Sequence, residues 1–322
     1  TDLATKETGT GPFKFKTWNR GSSITLVRND SYYGAKPTIK TAVFRYITDA
    51  TALSNAMLSG QIDIMSTVQA PELLGVFKAK KNLTVYSGST NCEVTLGMNN
   101  ARAPFNNKLV RQAVRQAINK KNLIKTAWSG YGLEIGSFVP PTDPWYEDLS
   151  TLYPYDVNKS KALLKSAGYA NGLTINLDLP PIAYATNSGE FIAASLAKVG
   201  IKVNLKPIAW GEWIDRVFTK KDYDMTIVCH IESNDMAIYA NPAYYFGYNS
   251  TTYQGLIKKA ASAKTQAARV ENLKKAARLL ADDSVSDWLW LIPNLQVAKK
   301  TISGIPLNTV GDAYTVDRIT VG

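Results

Sequence analysis

The chain has 322 residues, 45% of them hydrophobic and 20% charged, with a formal net charge of +11. That composition is ordinary for a soluble globular protein, and the length suggests about two domains. No apolar run approaches the roughly 18 residues of a membrane-spanning helix. The basic residues are spread out, and no basic run is interleaved with stacking aromatics, so a nucleic-acid partner is not expected.

Residues 9–47 read as β. A Gly9–Pro12 turn precedes a strand in which Phe13, Phe15 and Trp18 alternate with Lys14 and Lys16. Residues 22–28 (SSITLVR) form a second strand after the hairpin signal Asn19-Arg20-Gly21, and 41–47 (TAVFRYI) a third. A helix over 51–59, capped by Asp49 and stopped by Gly60, leads to strand 61–65 (QIDIM), a spacing that suits a parallel crossover. A short helix at 71–79 and strands at 83–86 and 93–98 follow.

Residues 99–292 read as a separate unit. A helix from Lys108 has Leu109, Val110, Ala113, Val114, Ala117 and Ile118 on one face. Six Lys and Arg with no acid lie in 108–125, and seven against Glu271 in 257–280; both segments read as amphipathic helices with solvated basic faces. After a Gly- and Pro-rich loop, a helix opens at Asp156 and stops before Gly168. Strand 173–179 alternates strictly. Helix 188–199, strand 201–205, helix 210–219, strand 225–229 and a long helical stretch over 253–282 follow. This alternation implies an α/β domain with a mostly parallel sheet. Residues 288–322 return to β and are expected to pair back onto the first sheet, making the first domain discontinuous.

The stretch 222–249 carries the chemistry. The apolar strand Met225-Thr226-Ile227-Val228-Cys229 turns abruptly polar at His230, Glu232, Asn234 and Asp235, followed by Tyr239, Tyr244, Tyr245, Phe246 and Tyr248. A packed strand that ends in a polar loop suits a ligand site. His230 is the only histidine. Cys92 and Cys229 lie far apart in apolar, strand-like surroundings, where two free buried thiols are expected over a disulfide. There is no GxSxG, GxxxxGK[ST] or HExxH, and no GxGxxG in a strand–helix context, so neither an enzyme nor a cofactor is expected.

Several segments in order resemble the extracellular solute-binding proteins of peptide-type ABC importers, family 5. They are GTGPFKF (9–15), DSYYGAKP (30–37), AMLSGQIDI (56–64), PFNNKLVRQAVRQAIN (104–119), VPP (139–141), YDVNKSKALLKSAG (155–168), LAKVGIKV (196–203) and WGEWI (210–214). The resemblance implies a type II periplasmic-binding-protein-like α/β fold of two lobes with mostly parallel central sheets. Partial domain I would span 1–96 and 293–322, and domain II 97–292. It implies a C-terminal fragment lacking an N-terminal subdomain. It also implies an extracytoplasmic receptor, periplasmic or lipid-anchored and monomeric. Such a receptor captures a peptide or similar small polar solute between lobes that close by hinge motion, then delivers it to ABC permease subunits.

In peptide-binding members an acid just after the strand matching 225–229 holds the ligand's ammonium. Here His230 stands where those proteins have Trp, and Ser233 where they have the acid; Glu232 and Asp235 flank it. Glu232 or Asp235 supplies the charge if the loop is re-registered, or Asp235 caps the following turn. Trp210 matches an aromatic pocket position, to stack on ligand or to pack in the core. Tyr184 lies in loop 180–188, where the dipeptide binder carries an arginine that this chain lacks. His230 reads as a pocket wall or hydrogen-bond donor. The alternative is a metal-chelate site of the nickel-binding branch.

Overall fold

The computed structural model describes residues 8–231, 235–309 and 314–322, without the side chain of Asp235. Two compact units divide the chain: Thr1–Ser89 with Asn294–Gly322, and Thr90–Pro293.

The first unit opens with an antiparallel meander of β1 (Phe13–Asn19), β2 (Ser23–Arg28) and β3 (Thr41–Arg45). Gly21, at φ 75°, takes the left-handed turn between β1 and β2 that other residues avoid. Phe15 and Trp18 remain exposed on β1, and the Arg20 guanidinium lies 4.1 Å over the Trp18 ring. Helix α1 (Ala50–Leu58) starts at Asp49, whose carboxylate accepts the Ala52 N–H at 2.7 Å. Then come β4 (Ile64–Met65), a 3-10 turn at Pro71–Leu73, α2 (Leu74–Lys78) and β5 (Leu83–Gly88). The expected parallel crossover does not form. Strands β3 and β4 lie in different sheets, and β4 pairs antiparallel with a strand from the chain's end. The edge of β4 is taken instead by that strand, which lies between β4 and β5.

The second unit holds β6 (Glu93–Met98), α3 (Lys108–Ala117), α4 (Lys120–Ala127), α5 (Val157–Ser166), β7 (Leu173–Leu179) and α6 (Ala183–Ala197). Next are β8 (Ile201–Pro207), α7 (Trp210–Glu212) running into a π-helical segment Trp213–Thr219, and β9 (Met225–His230). The unit closes with α8 (Asp235–Ile238), α9 (Thr251–Ala261), α10 (Gln266–Asp283) and β10 (Ser286–Leu291). The helical stretch expected over 253–282 consists of two helices, parted where Thr265 caps the second by accepting the Ala268 N–H.

The five-stranded sheet runs β10-β6-β9-β7-β8. Strand β7 is parallel to β8 and β9, while β6 is antiparallel to β9 and β10. The sheet is mixed, with the parallel part at β9-β7-β8. The expected boundary after residue 96 falls inside β6. Division comes at Ser89–Thr90 because β6 takes its hydrogen bonds from β9 and β10. One face of the sheet, with Val94, Leu96, Ile175 and Leu177, packs against α3, α4 and α6. The other packs against an aromatic layer of Phe138, Tyr239, Tyr245, Phe246 and Trp288 and against α10. The chain re-enters the first unit through β11 (Asn294–Lys299), which pairs between β4 and β5, and ends in the small ladder of β12 (Ile302–Ser303) and β13 (Thr320–Val321).

The basic face expected over 108–125 is in large part an interior. Arg111, Arg115 and Lys120 are buried. Arg111 donates to the Phe105, Asp283 and Ser284 carbonyls, and Arg115 to those of Ala281 and Gly136. Cations at the C-terminal end of α10 meet carbonyls that the helix leaves without partners. Lys120 Nζ lies 2.9 Å from the fully buried carboxylate of Asp287 and donates to the Ile135 and Trp288 carbonyls; Arg115 Nε is 3.4 Å from the same carboxylate. Burial lowers the proton affinity of all three cations, with Arg111 down to about 10, and Asp287 opposes that shift at Arg115 and Lys120.

Candidate functional site

The parallel strands β9, β7 and β8 run toward the same edge of the sheet, where β9 continues past the level ends of β7 and β8. In a sheet of this kind that rim is where ligands are usually met, because the following loops all start there. Tyr184, Trp210 and His230 follow or end these three strands.

Tyr184 is not in a loop. Helix α6 begins at Ala183, earlier than the sequence suggested, and Tyr184 occupies its first turn. Its hydroxyl accepts the Cys229 N–H at 3.0 Å, and burial pushes its pKa above the ordinary tyrosine range. The side chain thus fixes the backbone one residue before His230.

Trp210 starts α7 and is 39% exposed. Its ring meets Trp213 edge-on at 5.4 Å. Trp213 is buried, and its indole N–H donates to Thr226 Oγ1 at 2.9 Å. One indole is therefore a fixed support and the other presents its surface, an arrangement suited to stacking on a ligand.

His230 is buried at 3% exposure. Its ring stacks on Tyr245 at 5.9 Å with a 19° tilt, and Nε2 lies 2.8 Å from the Tyr245 hydroxyl. Phe138 and Phe246 enclose it at 5.6 and 5.5 Å. Phe246 reaches this position because β6 carries Gly97: a Cβ there would stand 3.0 Å from the Phe246 ring. His230 therefore lies within an aromatic layer. Tyr239 and Tyr245 are buried in that layer, and Tyr244 is partly buried beside it. Among the described residues no group of three His, Cys, Asp or Glu side chains stands together to hold a metal ion.

Glu232 and Ser233 lie outside the described residues, and Asp235 is placed only as the first residue of α8. Both flanks of this segment are tethered. On one side Asn91 Nδ2 donates to the Ile231 carbonyl at 2.7 Å. On the other the buried Tyr253 hydroxyl donates to the Met236 carbonyl at 2.6 Å.

Cys92 and Cys229 form a disulfide, not two free thiols. Their Cα atoms are 5.3 Å apart because β6 and β9 are neighbours in the sheet, which a separation of 137 residues conceals. The bond ties the start of β6 to the end of β9. Sequence reasoning also missed Glu93, fully buried and directly across from His230 in the β6–β9 register. The signal was present: an Asn-Cys-Glu run precedes an apolar strand.

The chain matches the family model for bacterial extracellular solute-binding proteins, family 5, over residues 1–255. It is 32% identical to the dipeptide-binding protein of Escherichia coli over 213 residues, which are 65% of this chain and 40% of that protein. It is 27% identical to di/tripeptide-binding protein 1 of Pseudomonas aeruginosa over 328 residues, 97% of this chain and 59% of that one. Among solved structures it superposes on the ABC transporter-associated periplasmic binding protein DppA from Helicobacter pylori in complex with the peptide STSA. The TM-score is 0.89 at 26% identity, covering 99% of this chain and 64% of that one. The chain thus spans less than two thirds of the length of each of these proteins.

Proposed function

The chain belongs to the family 5 bacterial extracellular solute-binding proteins, a family of binding receptors rather than enzymes, and from that premise we propose that it is the solute-capturing part of an ABC importer. Its ligand is a short peptide or a polar solute of similar size, and it hands that ligand to the importer's permease subunits outside the cytoplasm. The observation that carries the reading is the sheet edge toward which β9, β7 and β8 all run, with the end of β9 beyond those of β7 and β8. There Trp210, after β8, exposes its indole, and the backbone at Cys229, Ile231 and Met236 is held by Tyr184, Asn91 and Tyr253. A preformed apolar platform next to anchored polar backbone suits a ligand that is extended, partly apolar and hydrogen-bonding. Relatives named for binding dipeptides and tripeptides support the same ligand class.

In this role Trp210 stacks on the ligand. Glu232 or Asp235 holds its ammonium end, since Ser233 offers no charge. His230 and Tyr184 work from behind, setting the direction in which the chain leaves β9. No helix among the described residues is long and apolar enough to cross a membrane.

Equilibrium dialysis against a defined mixture of di- to tetrapeptides, read by mass spectrometry, tests the proposal. Retention of a subset of peptides is expected, weakened about tenfold by Trp210→Ala with an unchanged unfolding midpoint. Retention of no peptide, or equal retention by Trp210→Ala, overturns it.

A further inference from the structure

We propose that a cleft between β7, β8 and the π-helical segment Trp213–Thr219 is a second binding site, for a small dipolar molecule carrying both an ammonium and a carboxylate group. The cleft has a volume of about 140 Å³, and neither Tyr184, Trp210 nor His230 lines it.

Its key group is Asp178 on β7, whose side chain is fully buried. One carboxylate oxygen accepts from Arg216 Nη2 at 2.5 Å. The other, Oδ2, is buried and has no hydrogen-bond partner among the described residues. A buried carboxylate oxygen without a donor bears its full desolvation cost, and a donor arriving from the cleft removes that cost. Burial also pushes the Asp178 carboxyl above its usual range, with Arg216 and Lys206 opposing the shift. The neighbouring acid is already committed: Asp224 Oδ2 accepts the Asn176 backbone and side-chain N–H groups at 3.0 and 2.9 Å. Asp178 Oδ2 is accordingly a buried acceptor of the cleft wall that has no donor among the described residues.

The class of ligand follows from charge balance. Three basic side chains, of Arg102, Lys206 and Arg216, line the cleft with three acidic ones, of Asp178, Asp222 and Asp224. A site with no net charge and both signs on its wall favours a molecule that also carries both signs over a free anion or cation. The ammonium meets Asp178 Oδ2. The carboxylate meets Lys206, which lies next to Asp178 across the β7–β8 register on an exposed strand end. Arg216 stands inside the π-helical turn, a distortion that recurs at functional sites.

Glycine is the probe. In an amide NMR titration of the chain, glycine should shift Asn176, Arg216 and Thr226 saturably, while acetate and methylammonium each bind about tenfold more weakly. Asp178→Asn keeps the side chain's shape and should weaken glycine about tenfold. Lys206→Gln, at an exposed position, should weaken it several-fold and carries the test if the Asp178 variant does not fold. No saturable shift with glycine, acetate binding as well as glycine, or Lys206→Gln titrating like the parent chain overturns the proposal. Peptide retention and these glycine shifts are separate readouts, so this site and the rim can fail independently.

Discussion

The Asp287 network and the His230 layer lie close together in the second unit, and both bury polar groups, yet they are built on opposite terms. Trp288 stands between them, with the Arg115 guanidinium 5.5 Å from its ring and Phe138 at 6.4 Å. Around Asp287 the buried groups are formal charges drawn from α3, α4 and β10, with carbonyls of α10 and the 135–136 loop completing the set. Around His230 stand the rings of Phe138, Tyr245 and Phe246 and the Tyr245 hydroxyl. In the first region loss of Asp287 leaves two buried cations without their carboxylate. In the second a member can be altered at the cost of one contact. The second unit thus buries formal charge around Asp287, while the end of β9 is held by the Cys92–Cys229 bond together with single hydrogen bonds and ring contacts.

The comparison breaks most visibly at Asp287. Asp287→Ala leaves Arg115 and Lys120 buried without their carboxylate and should cost about 3–5 kcal/mol in urea unfolding. A loss below about 1 kcal/mol would mean the two cations are held by carbonyls alone. Between the extremes lies the covalent tie at the rim. Replacing both Cys92 and Cys229 by Ser should lower stability by about 2–4 kcal/mol, with the change largest at amides of β6 and β9 in hydrogen exchange. The smallest effect belongs to the layer itself. Tyr245→Phe removes the hydroxyl beside His230 Nε2 and should cost about 1 kcal/mol, measured by the same unfolding curve. If it instead matches the loss at Asp287, the two regions are not built differently after all.

Elements with a local cause were legible in the sequence. Strand β7 coincides with the strictly alternating LTINLDL, and α1 and α5 begin at the capping carboxylates of Asp49 and Asp156. Elements decided by distant partners were not. Strand β4 reads as half of a crossover until β11 supplies its neighbour from more than 200 residues away. Arg111 and Arg115 occupy positions that read as solvated because their acceptors are backbone carbonyls, which carry no side-chain signature. The candidate site shows the same divide. Trp210 is exposed at the rim, whereas His230 is enclosed by Phe138 and Phe246, which no local pattern links to it. The disulfide was hidden by the register that brings Cys92 to Cys229.

The place of β11 also has a consequence during synthesis. It is the middle strand of β4-β11-β5, but the ribosome makes it last of the three. The second unit, contiguous over Thr90–Pro293, is complete before Asn294 emerges. At about 5–20 residues per second, β4 and β5 wait on the order of 10–40 s for the strand that joins them. Through that interval both present open edges to other nascent chains, so the first unit is where a slow or crowded cell should first lose this protein to aggregation.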